Sequence, residues 1–91
     1  MRKEGEALKA LVRDYVEDRI AFWPFHNSFI EDYVRLPARA LEESERKTWD
    51  QIYQLVLLSA PDPVAPEDRT RGIIGAAGLK TRLGALPLLQ R

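Results

Sequence analysis

Apolar residues recur along the chain at intervals of three and four, the spacing of a helix with one buried face. This pattern predicts a first helix from about Glu4 to Arg19. Its stripe consists of Leu8, Leu11, Val12, Tyr15 and Val16, and Ile20 extends it. Pro24 has no backbone N–H to donate four residues back, so the first helix must end before it.

Two further stripes predict a second and a third helix. The second has Pro24 in its first turn, where a missing N–H costs nothing, and it stops at Pro37. Its inner face consists of Phe25, Phe29, Tyr33 and Leu36, with Ile30 and Val34 on the flank. The third begins near Glu42, and its inner face consists of Trp49, Ile52, Tyr53 and Val56. Leu55, Leu57 and Leu58 broaden that face, so its carboxyl end is expected to be buried on most sides.

The last third of the chain is less regular. Residues 59–66 contain three prolines and predict a stiff, extended connection. A short fourth helix is expected from about Gly75 to Leu83, although each internal glycine costs up to about 1 kcal/mol relative to alanine. No strand-like alternation with hairpin turns occurs. The sequence therefore predicts an all-α protein, a small antiparallel four-helix bundle that forms one domain over residues 1–91.

The residue inventory gives little support for catalysis. The chain has no cysteine and a single histidine, His26, so thiolate metal sites and disulfides are excluded. Asp14, Glu17 and Asp18 share one helical face, which favours a solvated acidic surface over a cation site. The glycines before Lys80 do not match a phosphate-binding loop. We therefore expect no enzyme activity, no cofactor and no metal.

The net charge of zero conceals an uneven distribution. Residues 14–68 carry twelve acidic and five basic side chains, whereas residues 69–91 carry five basic side chains and no acid. A long acidic segment argues against a nucleic-acid surface and for a basic protein partner, since complementary fields steer association. The alternative that these charges only solvate the outer faces of helices remains open.

Two other features affect the function prediction. No apolar run approaches the 18 or so residues that cross a bilayer, and the amino terminus does not have the pattern of a secretory signal. We therefore expect a cytoplasmic protein without a membrane partner. Phe22 and Trp23 lie at a helix junction, where an exposed tryptophan would be a candidate binding anchor. Packing of both rings under the loop is the alternative.

Several segments resemble bacterial immunity proteins of the colicin D type. The stretch Leu11 to Ile20, followed by Ala21, Phe25 and Phe29, is similar to the opening of that family, in which an isoleucine and a small residue precede a helix that starts with phenylalanine. The stretch Leu41 to Tyr53 is similar to its third helix. The segments Pro61-Asp62-Pro63 and Ile73-Ile74 to Lys80 are similar to its ending. The chain departs from the family at residues 75–78, Gly-Ala-Ala-Gly, where the family often has acids.

The resemblance implies a compact four-helix protein that blocks a basic toxin nuclease with an acidic surface in place of RNA phosphates. The acids expected to bind the partner lie near helix ends and loops: Glu42, Glu43, Asp62, Glu67 and Asp68. A second hypothesis is a structural or regulatory module that forms homodimers through the apolar C-terminal tail, with Leu86, Leu88 and Leu89. Binding of another macromolecule is common to both hypotheses.

Overall fold

A computed structural model describes residues 3–37 and 39–90, and this part of the chain is mostly helical, as the sequence predicts. The elements in chain order are α1 (Lys3–Val16), α2 (Phe22–Val34), α3 (Glu43–Leu57), β1 (Ser59–Ala60), α4 (Pro66–Thr70), β2 (Ile74–Gly75) and α5 (Ala76–Gly84), followed by a 3₁₀ turn, Pro87–Gln90. The four longer helices are the ones that the apolar stripes predict.

Helix α1 ends at Val16, three residues before the predicted boundary. Asp18 adopts a φ of 63°, in the left-handed region, and thereby breaks the helical path. The backbone N–H of Asp18 donates to the Tyr15 carbonyl, and that of Arg19 donates to the Asp14 carbonyl. Aspartate is among the few residues that tolerate this conformation, so the local sequence permits the early stop.

The other helix boundaries lie close to their predicted positions. Helix α2 has Pro24 in its first turn and ends at Val34, before Pro37. Helix α3 begins at Glu43, directly after the predicted Glu42. The expectation that its carboxyl end is buried on most sides is wrong, because Leu57 and Leu58 keep 43% and 44% of their surface exposed.

A short parallel strand pair departs from the all-α prediction. Ser59 pairs with Ile74 and Ala60 with Gly75, and the Ile74 N–H donates to the Leu58 carbonyl over 2.8 Å. The sequence predicts an extended, proline-rich connection in this region. In the structure this connection contains strand β1 and leads into the short helix α4. Two residues per strand are too few to show alternation, which explains why the pattern did not reveal them.

One hydrophobic core unites the helices. Helix α1 packs against α2 and α5, and α3 also packs against α2 and α5, so the four surround a common centre. The largest side chains that are fully buried there, among the described residues, are Val12, Tyr15, Phe25, Phe29, Trp49, Ile52, Val56, Leu79 and Leu83. Leu88 and Leu89 of the C-terminal tail (residues 86–90) also join this core. The tail therefore closes one side of the helical assembly.

Candidate protein-docking groove on α3

A groove of about 470 Å³ runs along the outer face of α3 and is bordered by the C-terminal tail. Leu55, Leu58 and Leu86 supply its apolar surface. Four polar side chains of α3 complete the lining: Lys47, Asp50, Gln51 and Gln54. We call these seven residues the α3 groove. An exposed apolar strip edged by polar side chains is typical of a surface that binds another protein.

A second cavity, the tail cavity, continues the α3 groove towards the start of α3. It encloses about 270 Å³ and is lined by Ser44, Glu45, Thr48, Gln51, Leu86, Pro87 and Leu88. Gln51 and Leu86 belong to both cavities. The two therefore form one continuous concave surface that extends over most of the length of α3.

Glu45 is the unusual member of this surface. It is only 7% exposed, and its Oε1 atom contacts neither solvent nor any hydrogen-bond partner among residues 3–37 and 39–90. Trp49, one helical turn later, likewise buries its indole Nε1 without a partner in that part of the chain. Glu45 lies in the first turn of α3, where an acid complements the positive end of the helix. Its spacing to Trp49, Ile52 and Val56 continues the buried stripe and is the signal that could have revealed it.

The predicted partner-binding acids fall into two groups. Glu42 and Glu43 lie at the start of α3, beside the tail cavity, with Glu42 half-buried and Glu43 exposed. Asp62, Glu67 and Asp68 follow the other end of α3. At 1.5 Å per residue, Glu43 and Leu57 are about 21 Å apart along the helix axis, so Glu43 and the segment that leads to Asp62 start from opposite ends of α3.

Asp62 has a role inside the fold. Its Oδ2 atom accepts a hydrogen bond from the backbone N–H of Ala77, in the first turn of α5. A Cβ atom on Gly75 would lie only 1.9 Å from Asp62 Oδ1, so any larger residue at position 75 would force this carboxylate to move. A carboxylate at this place satisfies a free N–H and complements the positive end of the helix.

Trp23 forms an exposed aromatic corner at the start of α2. It keeps 53% of its surface exposed, whereas Phe22 and His26 are half-buried. The Trp23 ring centre lies 5.1 Å from that of Phe22 and 5.3 Å from that of His26. The structure thus shows the exposed alternative for Trp23, with His26 held in a ring cluster.

Asp14, Glu17 and Asp18 do not share one helical face as expected, because α1 ends at Val16 and Asp18 leaves the helical path. Each of the three acids pairs with a neighbouring cation. Arg19 pairs with Asp14 over 3.0 Å and also contacts Glu17, and Lys80 of α5 pairs with Asp18. Within the described residues, no three histidine or acidic side chains are grouped as a metal site would require. These three acids therefore have cationic partners within the chain and are less available to an external partner than Glu43.

Two tyrosines connect the core to these charged groups. Burial, with a smaller effect of Asp62 and Asp18, raises the pKa of Tyr15 to about 12, and its hydroxyl donates to the Ala76 carbonyl over 2.9 Å. Burial also raises the pKa of Tyr33, whose hydroxyl donates to Asp50. Because Asp50 lines the α3 groove, this hydrogen bond fixes one polar edge of the groove.

Among residues 3–37 and 39–90, no helix has the length and apolar character needed to cross a bilayer. Comparisons with protein-family models, with curated proteins and with solved structures give no match to this chain.

Proposed function

We propose that this protein is an immunity or antitoxin-like inhibitor, which binds a cognate basic toxin nuclease and blocks it. The observation that carries the proposal is the position of Glu42 and Glu43 at the end of a continuous apolar-floored surface on α3. A basic partner that lies along α3 would meet an acidic helix end and, further along the same surface, an apolar strip. On this proposal the protein is not an enzyme and acts in the cytoplasm without contacting nucleic acid.

The distribution of ion pairs supports this assignment. In the acidic segment, several carboxylates pair within the chain, as Asp14 does with Arg19 and Glu31 with Arg35. In contrast, Glu43 and Glu67 form no ion pair with any residue that the structure describes. Carboxylates that are exposed and unpaired produce the field that accelerates association with a basic protein.

The α3 groove supports a protein partner over a small ligand. It is an open, elongated surface with an apolar strip of three leucines and a polar edge. Stable protein interfaces bury about 800 Å² on each partner and combine such an apolar centre with a charged rim. Lys47 and Asp50 at the edge give the groove both signs of charge, which favours specificity for one partner.

The proposal includes an antiparallel four-helix arrangement of α1, α2, α3 and α5. Two observations support it: short connections join α1 to α2 and α2 to α3, and each helix packs against two of the others. In this arrangement α3 presents its outer face on one side of the molecule, free for a partner.

A second candidate function is self-association as a structural or regulatory module. The observation that favours it is the same apolar strip, because Leu58 and Leu86 would be covered in a dimer. Leu88 and Leu89 are already buried within the chain, so the tail as a whole does not supply the contact. Sedimentation of the isolated protein at rising concentration separates the two functions.

The decisive experiment uses the neighbouring reading frames of the source genome. A basic nuclease encoded beside this chain should be purified and its RNA cleavage measured with and without the protein. Stoichiometric inhibition supports the proposal. An acidic or non-nuclease binding partner, or a neighbouring nuclease whose cleavage is unchanged by the protein, contradicts it.

A further inference from the structure

Glu45 lines the tail cavity and forms no ion pair with any residue that the structure describes. Glu45 is 7% exposed, and its Oε1 has no hydrogen-bond partner in the described part of the chain. Buried polar groups are almost always paired, because a buried group that loses its water without gaining a hydrogen-bond partner is destabilising, and a charged group more so than a neutral one. The exception at Glu45 calls for an explanation that the helical assembly itself does not provide.

The lining of the tail cavity is chemically suited to a cationic side chain. Ser44 and Thr48 add hydroxyl groups and Gln51 adds an amide, all of which accept hydrogen bonds. On the opposite side, Pro87 and Leu88 supply apolar surface. A lysine or arginine needs both: oxygen atoms around its charged head and apolar surface along its methylene stem.

We propose that the tail cavity takes up one lysine or arginine side chain of the partner, with Glu45 as its counter-ion. This inference rests on the proposed function, because it assigns the cation to the basic partner protein. The arriving cation would give the buried carboxylate the pairing that the isolated chain lacks. Pairs of this kind act on dissociation rate and specificity, whereas an exposed acid such as Glu43 acts on association rate.

The size of the tail cavity agrees with a single side-chain head. Its volume of about 270 Å³ exceeds that of a guanidinium group, and its continuity with the α3 groove gives the rest of the partner a path along α3. The cavity lies where α3 meets the tail, so a bound side chain would touch both. The tail thereby becomes part of the binding surface as well as of the core.

The inference can be tested without the partner. n-Propylguanidinium is titrated into the ¹⁵N-labelled protein, and n-propylurea, a neutral molecule of nearly the same shape, serves as the control ligand. Saturable NMR shifts are expected at Ser44, Thr48, Leu88 and the Trp49 indole. Glu45→Gln should weaken this binding about tenfold or more. Glu43→Gln, which removes a neighbouring exposed charge, should weaken it less than twofold.

Thermal unfolding provides a second readout. Because an unpaired buried carboxylate destabilises the free protein, Glu45→Gln should raise the melting temperature. A lower melting temperature would show that Glu45 serves the fold, for example by turning to accept the Trp49 N–H, and would overturn the inference. Equal shifts with the urea, or shifts unchanged by Glu45→Gln, would overturn it as well.

The failure of this inference is distinguishable from failure of the proposed function. If the protein inhibits a neighbouring nuclease and Glu45→Gln inhibits it equally well, the function stands and the assignment of the tail cavity is wrong. If n-propylguanidinium binds as described but no basic partner exists, the cavity is a cation site and the proposed function is wrong.

Discussion

The carboxylate of Asp62 accepts a 2.9 Å hydrogen bond from the backbone N–H of Ala77, fifteen residues further along the chain. This contact joins the proline-rich connection to the first turn of α5. It also accounts for the glycine at position 75, since a side chain there would collide with the carboxylate. An acid that the charge pattern assigns to a partner therefore stabilises the fold.

Gly75→Ala tests this contact. The added methyl would lie 1.9 Å from Asp62 Oδ1, so the carboxylate must move and the hydrogen bond to Ala77 is lost. We expect a loss of about 1–3 kcal/mol in unfolding free energy by urea denaturation. The matched control is Gly78→Ala in the adjoining helix α5, where nothing lies within 4 Å of the new atom. That variant should gain roughly 0.5–1 kcal/mol.

Asp62→Ala, alone and together with Gly75→Ala, completes a double-mutant cycle for the contact between positions 62 and 75. Alone it removes a helix-capping interaction and should cost about 0.5–2 kcal/mol. Combined with Gly75→Ala it should cost much less than the sum of the single changes, because the collision disappears with the carboxylate. Strict additivity of the two changes would contradict the contact.

Trp49→Ala tests the core. Trp49 is completely buried on the inner stripe of α3, so its truncation should cost about 3–5 kcal/mol. The control is Trp23→Ala, which removes a ring of the same size that is 53% exposed and should cost far less. Chemical denaturation followed by circular dichroism measures both. Equal losses for the two tryptophans would refute the placement of α3.

The sequence predicts the parts of this fold that depend on local periodicity. Trp49, Ile52 and Val56 share a stripe, and all three are buried as the stripe requires. The contact between Asp62 and Ala77 and the pairing of Ser59 with Ile74 leave no periodic signal, because they join distant segments over only a few residues.

The candidate site was less predictable for the same reason. The α3 groove depends on where the tail docks, and Leu86 enters it from the far end of the chain. The periodicity also did not indicate that Leu58 would stay 44% exposed while Val56, two residues earlier, is fully buried. Glu45 is the exception, because its position one helical turn before Trp49 indicates that it continues the buried stripe of α3.

The stability of the protein should fall in alkaline solution as Tyr15 ionises. Its pKa is raised from 10 to about 12 in the folded state, so the folded form holds the phenolic proton more tightly than the unfolded form. The resulting stabilisation is fully present below pH 10 and is lost as the pH rises through about 12. Unfolding free energy measured across this window should decline less steeply for Tyr15→Phe than for the unmodified protein. Equal slopes would contradict the raised pKa.

Removal of residues 86–91 should destabilise the protein. Leu88 and Leu89 are 5% and 8% exposed and belong to the core, and the Arg13 side chain donates a 2.8 Å hydrogen bond to the Leu89 carbonyl. Leu88→Ala alone should cost about 2–5 kcal/mol. Leu57→Ala, at a position 43% exposed, is the control with a small expected effect. A truncated protein with an unchanged melting temperature would show that the tail does not pack on the helices.

The last prediction concerns the acids proposed to attract the partner. Asp62 must be left intact, because reversing its charge would break the hydrogen bond to Ala77. A loss of binding could then result from a damaged fold. Two variants with equal charge change remain: one reverses Glu42 and Glu43 to lysine, and the other reverses Glu67 and Asp68. Circular dichroism should show a folded protein for both.

Both variants should slow association with the basic nuclease, and the Glu42/Glu43 variant should slow it more, because that pair borders the tail cavity. Individual exposed charges contribute little, so the paired reversals are the meaningful test. Raising the salt from 0.1 M to 1 M shortens the Debye length from about 10 Å to about 3 Å and should remove most of the difference between variants. Association rates from stopped-flow fluorescence at both salt concentrations decide the matter. A nuclease that binds the Glu42/Glu43 variant as fast as the unmodified protein at 0.1 M salt would show that this acidic helix end does not attract the partner.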